Sequence, residues 1–181
     1  MNQKSTIRHL ILGGARSGKS AYAERIAHAL FSESEQASEF IYLATATAGD
    51  QEMVERIAHH QERRNNDWRL VEEPQDIASV INTVEPNTTV LIDCLTLWLS
   101  NCLHHECWEV ERAKFLESLE QSNANIVMVS NEVGSGIVPM GELSRQFVDQ
   151  SGWLHQQVAQ IVEQVSLVIA GLPTSLKNVS Q

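Results

Sequence analysis

The stretch HLILGGARSGKSAYAERIA, residues 9–27, decides the fold: an apolar run stops at two glycines, and an alanine-rich segment of helical character resumes a few residues later. Inside it, Gly13-Gly14-Ala15-Arg16-Ser17-Gly18-Lys19-Ser20 has a glycine, four residues, then Gly-Lys-Ser, the spacing of a phosphate-binding loop between a strand and a helix. Glycines let the backbone curl so that successive N–H groups point inward, and the helix that follows adds unpaired N–H donors at its positive end. In that reading Lys19 reaches the β and γ phosphates of a nucleoside triphosphate, and the Ser20 hydroxyl helps hold Mg2+. The plain alternative is a glycine-rich turn between a strand and a helix with no ligand, the lesser reading given the flanking elements.

Outward from this loop, short apolar runs alternate with segments of helical period. Strands are expected at Ile7–Leu12, Phe40–Ala44, Arg69–Glu72, Thr89–Asp93, Ile126–Ser130 and Ser166–Ala170, and helices at Lys19–Phe31, Gln51–Arg64, Cys107–Gln121 and Leu143–Gln164. Several of the strands are nearly all apolar, which suits parallel strands covered on both faces. The expected class is α/β, a P-loop NTPase-like three-layer fold with a mostly parallel central sheet. At 181 residues, with no repeat or low-complexity segment and only the polar loop SESEQASE after Phe31, one domain spanning 1–181 is expected.

Composition narrows the partners. Hydrophobic residues at 43% and charged residues at 20% mark a globular chain. A formal net charge of -10 disfavours nucleic acid, which needs a basic surface. It leaves room for a small phosphorylated ligand, whose local field is set by a few N–H groups, one lysine and a metal ion. Cys94, Cys102 and Cys107 lack the paired spacing of a zinc site or redox dithiol and read as reduced thiols. The N-terminus has no secretory signal and no segment is long enough to span a bilayer, so a cytoplasmic address is expected.

Three further features carry candidate chemistry. Asp93 closes the apolar run TTVLI and so stands at the C-terminal edge of a strand, where open α/β sheets bind ligands. It is either a Mg2+ ligand or a helix cap, a duty that Thr96 can share. On DQEMVERIAHHQERR, Met53, Ile57 and His60 share one helical face while His59 falls among Glu55, Arg56 and Glu62. An inward imidazole at His60 is either a packed side chain or a nucleophile. The segment NEVGSGIVP, residues 131–139, opens on the same sheet edge, where Gly134 and Gly136 serve either a ligand loop or an ordinary one. Trp68, Trp98, Trp108 and Trp153 are read as core candidates.

Taken together, GGARSGKS, YLATATAGDQEMVERIAHHQERR, DWRLVEEP, VLIDCLTLWLSN, NEVGSGIVP and LSRQFVDQSGW resemble the bifunctional cobinamide kinase/cobinamide-phosphate guanylyltransferase family of cobalamin biosynthesis. The resemblance spans almost the whole chain. It implies phosphorylation of the aminopropanol hydroxyl of adenosylcobinamide with ATP or GTP, then transfer of GMP from GTP onto adenosylcobinamide phosphate with Mg2+ present. The second histidine of the family's pair carries the GMP, and it corresponds to His60. The family's nucleotide contacts fall on Gly13, Gly14, Ala15, Arg16, Ser17, Gly18, Lys19 and Ser20. They continue on Ala44, Thr45 and Ala46, then on Gln61, Glu62, Arg63 and Arg64, and on Glu72 and Asp93.

Glu72 is suited to accept hydrogen bonds from guanine N1–H and its amino group. Two positions depart from the family pattern: Asp93 is a shorter acid where some members have glutamate, and His155 stands where asparagine is common. The second departure leaves open any corrinoid contact at that helix. The resemblance also implies a homo-oligomer, a trimer with sites near subunit boundaries. The competing readings are a P-loop small-molecule kinase without guanylyltransferase activity, in which His60 only packs, and a nucleotide switch that signals to a partner.

Overall fold

The computed structural model describes residues 6–33, 39–46, 68–137 and 139–179. In chain order the elements are β1 (Arg8–Gly13), α1 (Lys19–Ser32), β2 (Phe40–Ala44), β3 (Arg69–Glu72), α2 (Ile77–Thr83) and β4 (Thr89–Asp93). There follow α3 (Leu95–His104), α4 (Trp108–Gln121), β5 (Asn125–Asn131), α5 (Glu142–Ile161), β6 (Gln164–Ile169) and β7 (Leu172–Asn178). The expected helix Gln51–Arg64 lies outside the described residues.

The strands form one seven-stranded sheet in the order β3-β2-β4-β5-β1-β6-β7. Neighbours from β3 to β6 are parallel, and β7 returns antiparallel to β6. The near-continuous apolar runs have the cause the sequence suggested, since successive side chains face two different cores. Leu10, Leu12, Ile41, Leu43, Val90 and Ile92 pack with residues of α2, α3, α4 and α5, whereas Ile11, Phe40, Tyr42, Leu91 and Val127 pack with Ala23 and Ala27 of α1. Helices on both faces of a mostly parallel sheet, with a phosphate loop joining β1 to α1, make the three-layer P-loop architecture.

Helices α2, α3 and α5 depart from the sequence expectations. Helices α2 and α3 occupy segments read as neither helix nor strand, yet Leu95, Trp98, Leu99 and Cys102 are buried at helical spacing. Helix α3 ends where the Cys107 N–H donates to the Cys102 carbonyl at 3.0 Å and the Glu106 N–H to that of Leu103 at 3.3 Å. Glu106, at φ 57, is the left-handed residue that this Schellman stop requires. Helix α5 ends at Ile161, short of the expected Gln164, because Gln164 already begins β6.

Strand β7 was not expected. Ala170 and Gly171, both at positive φ, form a two-residue turn that folds LPTSLKN back along β6. Trp98 and Trp108 are core residues, whereas Trp153 is 52% exposed, which corrects its reading as core.

Candidate active site

The described residues of the sequence-predicted site lie at the C-terminal edge of the sheet. Register aligns Gly13 with Asn131, Ala44 with Asp93, and Ala44 with Glu72. Strand β5 lies between the strand of the phosphate loop and the strand of Asp93. Glu72 stands four strands from β1, about 19 Å at about 4.8 Å per strand.

The phosphate loop is built from its own backbone and from two neighbours. The Ser17 N–H donates to the Gly14 carbonyl at 3.3 Å. Gly18 is the N-cap of α1 in the left-handed region at φ 93. From outside, the Glu132 N–H donates to the Gly13 carbonyl at 3.1 Å and the Gly171 N–H to that of Ser17 at 2.8 Å. A Cβ on Gly13 would come within 2.5 Å of Ser17 Oγ and 2.7 Å of the Val168 carbonyl, and one on Gly18 within 3.1 Å of Gly171 Cα. Glycine is therefore required at Gly13 by close approach, and at Gly18 by dihedral together with close approach.

Lys19 is buried at the mouth of the loop, and its ammonium donates to the Gly14 carbonyl at 3.0 Å. That contact holds the cation where a polyphosphate would sit. Gly14, Ala15, Arg16 and Gly18 are exposed, and Ser20 is half-buried. The cradle fits a polyphosphate, since nothing lies within 4 Å of a Cβ built on Gly14 and α1 directs its first N–H groups there.

Asp93 is 8% exposed, and its Oδ2 accepts the Tyr42 hydroxyl at 2.8 Å. It does not cap α3: the N-cap there is Cys94, with no side-chain cap. The Asp93 carboxylate and Ser20 hydroxyl are oxygen donors of the kind a hard dication takes together with phosphate oxygens. The Asp93–Cys94 peptide is cis.

Thr45 is buried and fully engaged. Its hydroxyl donates to the Cys94 carbonyl at 2.8 Å and accepts the Cys94 N–H at 2.9 Å, while its carbonyl accepts from Asn101 at 2.8 Å. This position pins the ends of β2 and β4 together, and Ala44 and Ala46 flank it. In the EEP turn the two acids separate. Glu73 accepts the N–H groups of Gln75 and Asp76, each at 2.9 Å, and so holds the turn. The Glu72 side chain is exposed. His60, Gln61, Glu62, Arg63 and Arg64 lie outside the described residues.

A buried polar chain behind this edge was not anticipated. The Asn131 N–H donates to Thr96 Oγ1 at 2.7 Å, Thr96 Oγ1 and Ser130 Oγ are 3.2 Å apart, and Ser130 Oγ meets His155 Nε2 at 2.7 Å. Each hydroxyl is satisfied when it donates toward the histidine, which leaves the ring proton on Nδ1. Burial lowers the His155 pKa, and the nearby Glu132 partly offsets this. Glu132 Oε1 accepts the Gly134 N–H at 2.7 Å. Burial alone would raise its pKa, but bonds from Ser135 and Gly134 and the proximity of His155 bring it below the usual carboxylate value. For the Glu132–Gly134 contact alone, a signal lay in NEVGSGIVP itself, in an acid placed two residues before a glycine.

All three cysteines are free, and burial pushes the Cys94 thiol up to about 11, so it stays protonated at neutral pH. Among the described residues no helix is long and apolar enough to cross a membrane.

Residues 9–176 match the family described as cobinamide kinase / cobinamide phosphate guanyltransferase. The bifunctional adenosylcobalamin biosynthesis protein CobP of Pseudomonas aeruginosa is 48% identical, over 95% of this chain and 98% of its own length. The bifunctional adenosylcobalamin biosynthesis protein CobU of Escherichia coli is 36% identical, over 93% of this chain and 98% of its own. Among solved structures, the P4 protein from bacteriophage phi6 in complex with ADP aligns with 93% of this chain and 53% of its own, at 12% identity and a TM-score of 0.41.

Proposed function

The chain belongs to the cobinamide kinase/cobinamide phosphate guanyltransferase family, and on that premise we propose how its sheet edge serves two reactions. It is an enzyme of adenosylcobalamin biosynthesis with kinase and guanylyltransferase activities. In the first reaction the γ phosphate of ATP or GTP passes to the aminopropanol hydroxyl of adenosylcobinamide. In the second, GMP from GTP joins that phosphate, giving adenosylcobinamide-GDP and releasing pyrophosphate.

The single observation that carries the site assignment is the cradle at Gly13–Ser20, where a Cβ on Gly13 would collide with Ser17 and Val168 and Gly18 holds φ +93, while the space over Gly14 is open. Its N–H groups hold the polyphosphate, and Lys19 exchanges the Gly14 carbonyl for phosphate oxygens as the nucleotide enters. Ser20 and Asp93 hold Mg2+, with Tyr42 fixing the orientation of the Asp93 carboxylate. Magnesium supplies neutralisation of charge on the phosphate oxygens. His60 attacks the α phosphorus of GTP through a neutral ring nitrogen. An N–P bond forms as the bond to the pyrophosphate oxygen breaks, and the adenosylcobinamide phosphate oxygen then displaces the histidine. Gln61, Glu62, Arg63 and Arg64 flank the nucleophile, Ala44, Thr45 and Ala46 line the nucleotide with backbone, and Glu72 takes guanine N1–H and its amino group.

The protein is further proposed to be a cytoplasmic homo-oligomer, a trimer. The apolar side chains of Ile169, Leu172, Leu176 and Val179, each more than half exposed along the β6–β7 edge, support association.

The test is covalent labelling. After incubation with GTP radiolabelled at the α phosphate and denaturation, the protein retains label that acid removes and alkali spares. His60→Ala retains none. Equal labelling of that variant removes His60 from the mechanism, and loss of label with intact phosphorylation of adenosylcobinamide separates the two activities.

A further inference from the structure

Phosphorylation of an alcohol needs a group to take the hydroxyl proton, and none of the residues assigned so far does this. The acceptor must approach the γ phosphate, which the loop after β1 holds, so the base must stand beside that loop. Among the described carboxylates assigned to this edge, Asp93 is held by Tyr42, Glu73 by the N–H groups of Gln75 and Asp76, and Glu72 lies four strands from β1. Glu132, whose carboxylate is likewise held, by Gly134 and Ser135, differs in position: it follows β5, the strand paired with β1, and its own N–H is bonded to the Gly13 carbonyl at 3.1 Å.

The loop is shaped around the Glu132 carboxylate. Gly134 donates its N–H to Oε1 at 2.7 Å, and a Cβ at that glycine would come within 3.1 Å of the same oxygen. The residues before it are pinned from both sides: Asn131 to Thr96 of α3, and Ser130 to His155 of α5. Beyond it, Ile137 and Met140 of the loop and Leu143 of the first turn of α5 are exposed at 98%, 96% and 79%. An amphipathic macrocycle that carries its hydroxyl on a polar arm matches such an apolar approach beside a fixed acid.

We propose that Glu132 is the general base of the kinase step. This rests on the kinase reading above and deepens it. As the acceptor oxygen bonds to the γ phosphorus, its proton passes to the Glu132 carboxylate. The bond from that phosphorus to the β–γ bridging oxygen breaks, and its electron pair leaves with the nucleoside diphosphate, its charge offset by Lys19. Because the transition state of phosphoryl transfer is loose and the proton departs late, a positioned carboxylate suffices even where hydrogen bonds hold it below the usual carboxylate value. His155 and Ser130 are positioning residues for the loop.

The experiment compares both half-reactions in Glu132→Gln, whose side-chain carbonyl can still accept the Gly134 N–H. Phosphorylation of adenosylcobinamide falls by about a hundredfold or more, with KM for the nucleotide little changed, while histidine labelling from α-labelled GTP continues. Glu132→Asp, which shortens the reach but keeps the proton acceptor, recovers part of the rate if the base role is right. An unchanged kinase rate in Glu132→Gln overturns the proposal. So does a parallel fall of labelling and phosphorylation at unchanged melting temperature, which marks a shared loop function. A parent protein that phosphorylates no corrinoid overturns the kinase reading itself, a result distinct from either.

Discussion

The backbone N–H of Gly171 donates to the carbonyl of Ser17 at 2.8 Å, so the turn between the last two strands holds the phosphate loop in place. Gly171 adopts φ +79, where a β-branched residue is strained by about 1–2 kcal/mol. Gly171→Val is expected to shift the turn and weaken GTP binding about tenfold, the worth of one net hydrogen bond. Gly171→Asn, which tolerates that backbone region, should bind like the parent. Titration calorimetry with GTP checks both, and equal affinity for the valine variant would show that the contact does not shape the loop.

Tyr42 should control the metal dependence. Its hydroxyl bonds to Asp93 Oδ2 at 2.8 Å, and its ring packs 5.5 Å from Trp68. Tyr42→Phe keeps the ring and removes a bond to a carboxylate worth about 1.5–3 kcal/mol. The Mg2+ concentration for half-maximal GTP binding is expected to rise about tenfold, with the melting temperature changed by only a few degrees. A titration of binding against Mg2+ reads this directly.

His9 makes stability depend on pH. It is buried in β1, with Nε2 2.9 Å from Ser166 Oγ and no partner for Nδ1 among the described residues, and burial lowers its pKa to about 4. Since the folded value lies below the unfolded one, the unfolded chain takes up a proton first as pH falls. The contribution is fully present above pH 6.5 and is lost down to about pH 4. At pH 5 this amounts to about 2 kcal/mol. Urea unfolding at pH 7 and pH 5 should reveal the loss, and His9→Gln should reduce it. His155 shifts in the same direction and accounts for part of what remains.

The outer edge of β7 offers a test of association. Leu172 and Leu176 are 72% and 58% exposed on an edge strand. Leu172→Glu with Leu176→Glu places charge on an unpaired edge, a device that discourages pairing. Light scattering is expected to show the parent as a trimer and the double variant as a monomer. A monomeric parent removes the proposed assembly.

Much of this edge could be read from residues alone. Strands β2, β3 and β4 begin and end where expected, because FIYLA, RLVE and TVLID are short runs set between polar or turn residues. Helix α3 was legible in principle from Leu95, Trp98, Leu99 and Cys102, but a segment buried on so many sides loses the polar stripe that marks a surface helix. Strand β7 carries no alternation, since six of its seven residues are exposed, and only the turn at Gly171 betrays it. The phosphate loop and Asp93 stand where their motifs placed them. The chain from Thr96 through Ser130 to His155 was not legible, because its members lie far apart in sequence and meet only through packing of α3, β5 and α5.

Helix α1 rests on the sheet through Ala23 and Ala27, both 0% exposed. Two methyl groups thus set how low this helix rides, and with it the height at which Lys19 and Ser20 stand over the strand ends. A leucine at either position would act as a wedge, lifting the cation away from its substrate without touching a single ligand atom. Smallness at that seam is as much a part of the chemistry as the lysine itself.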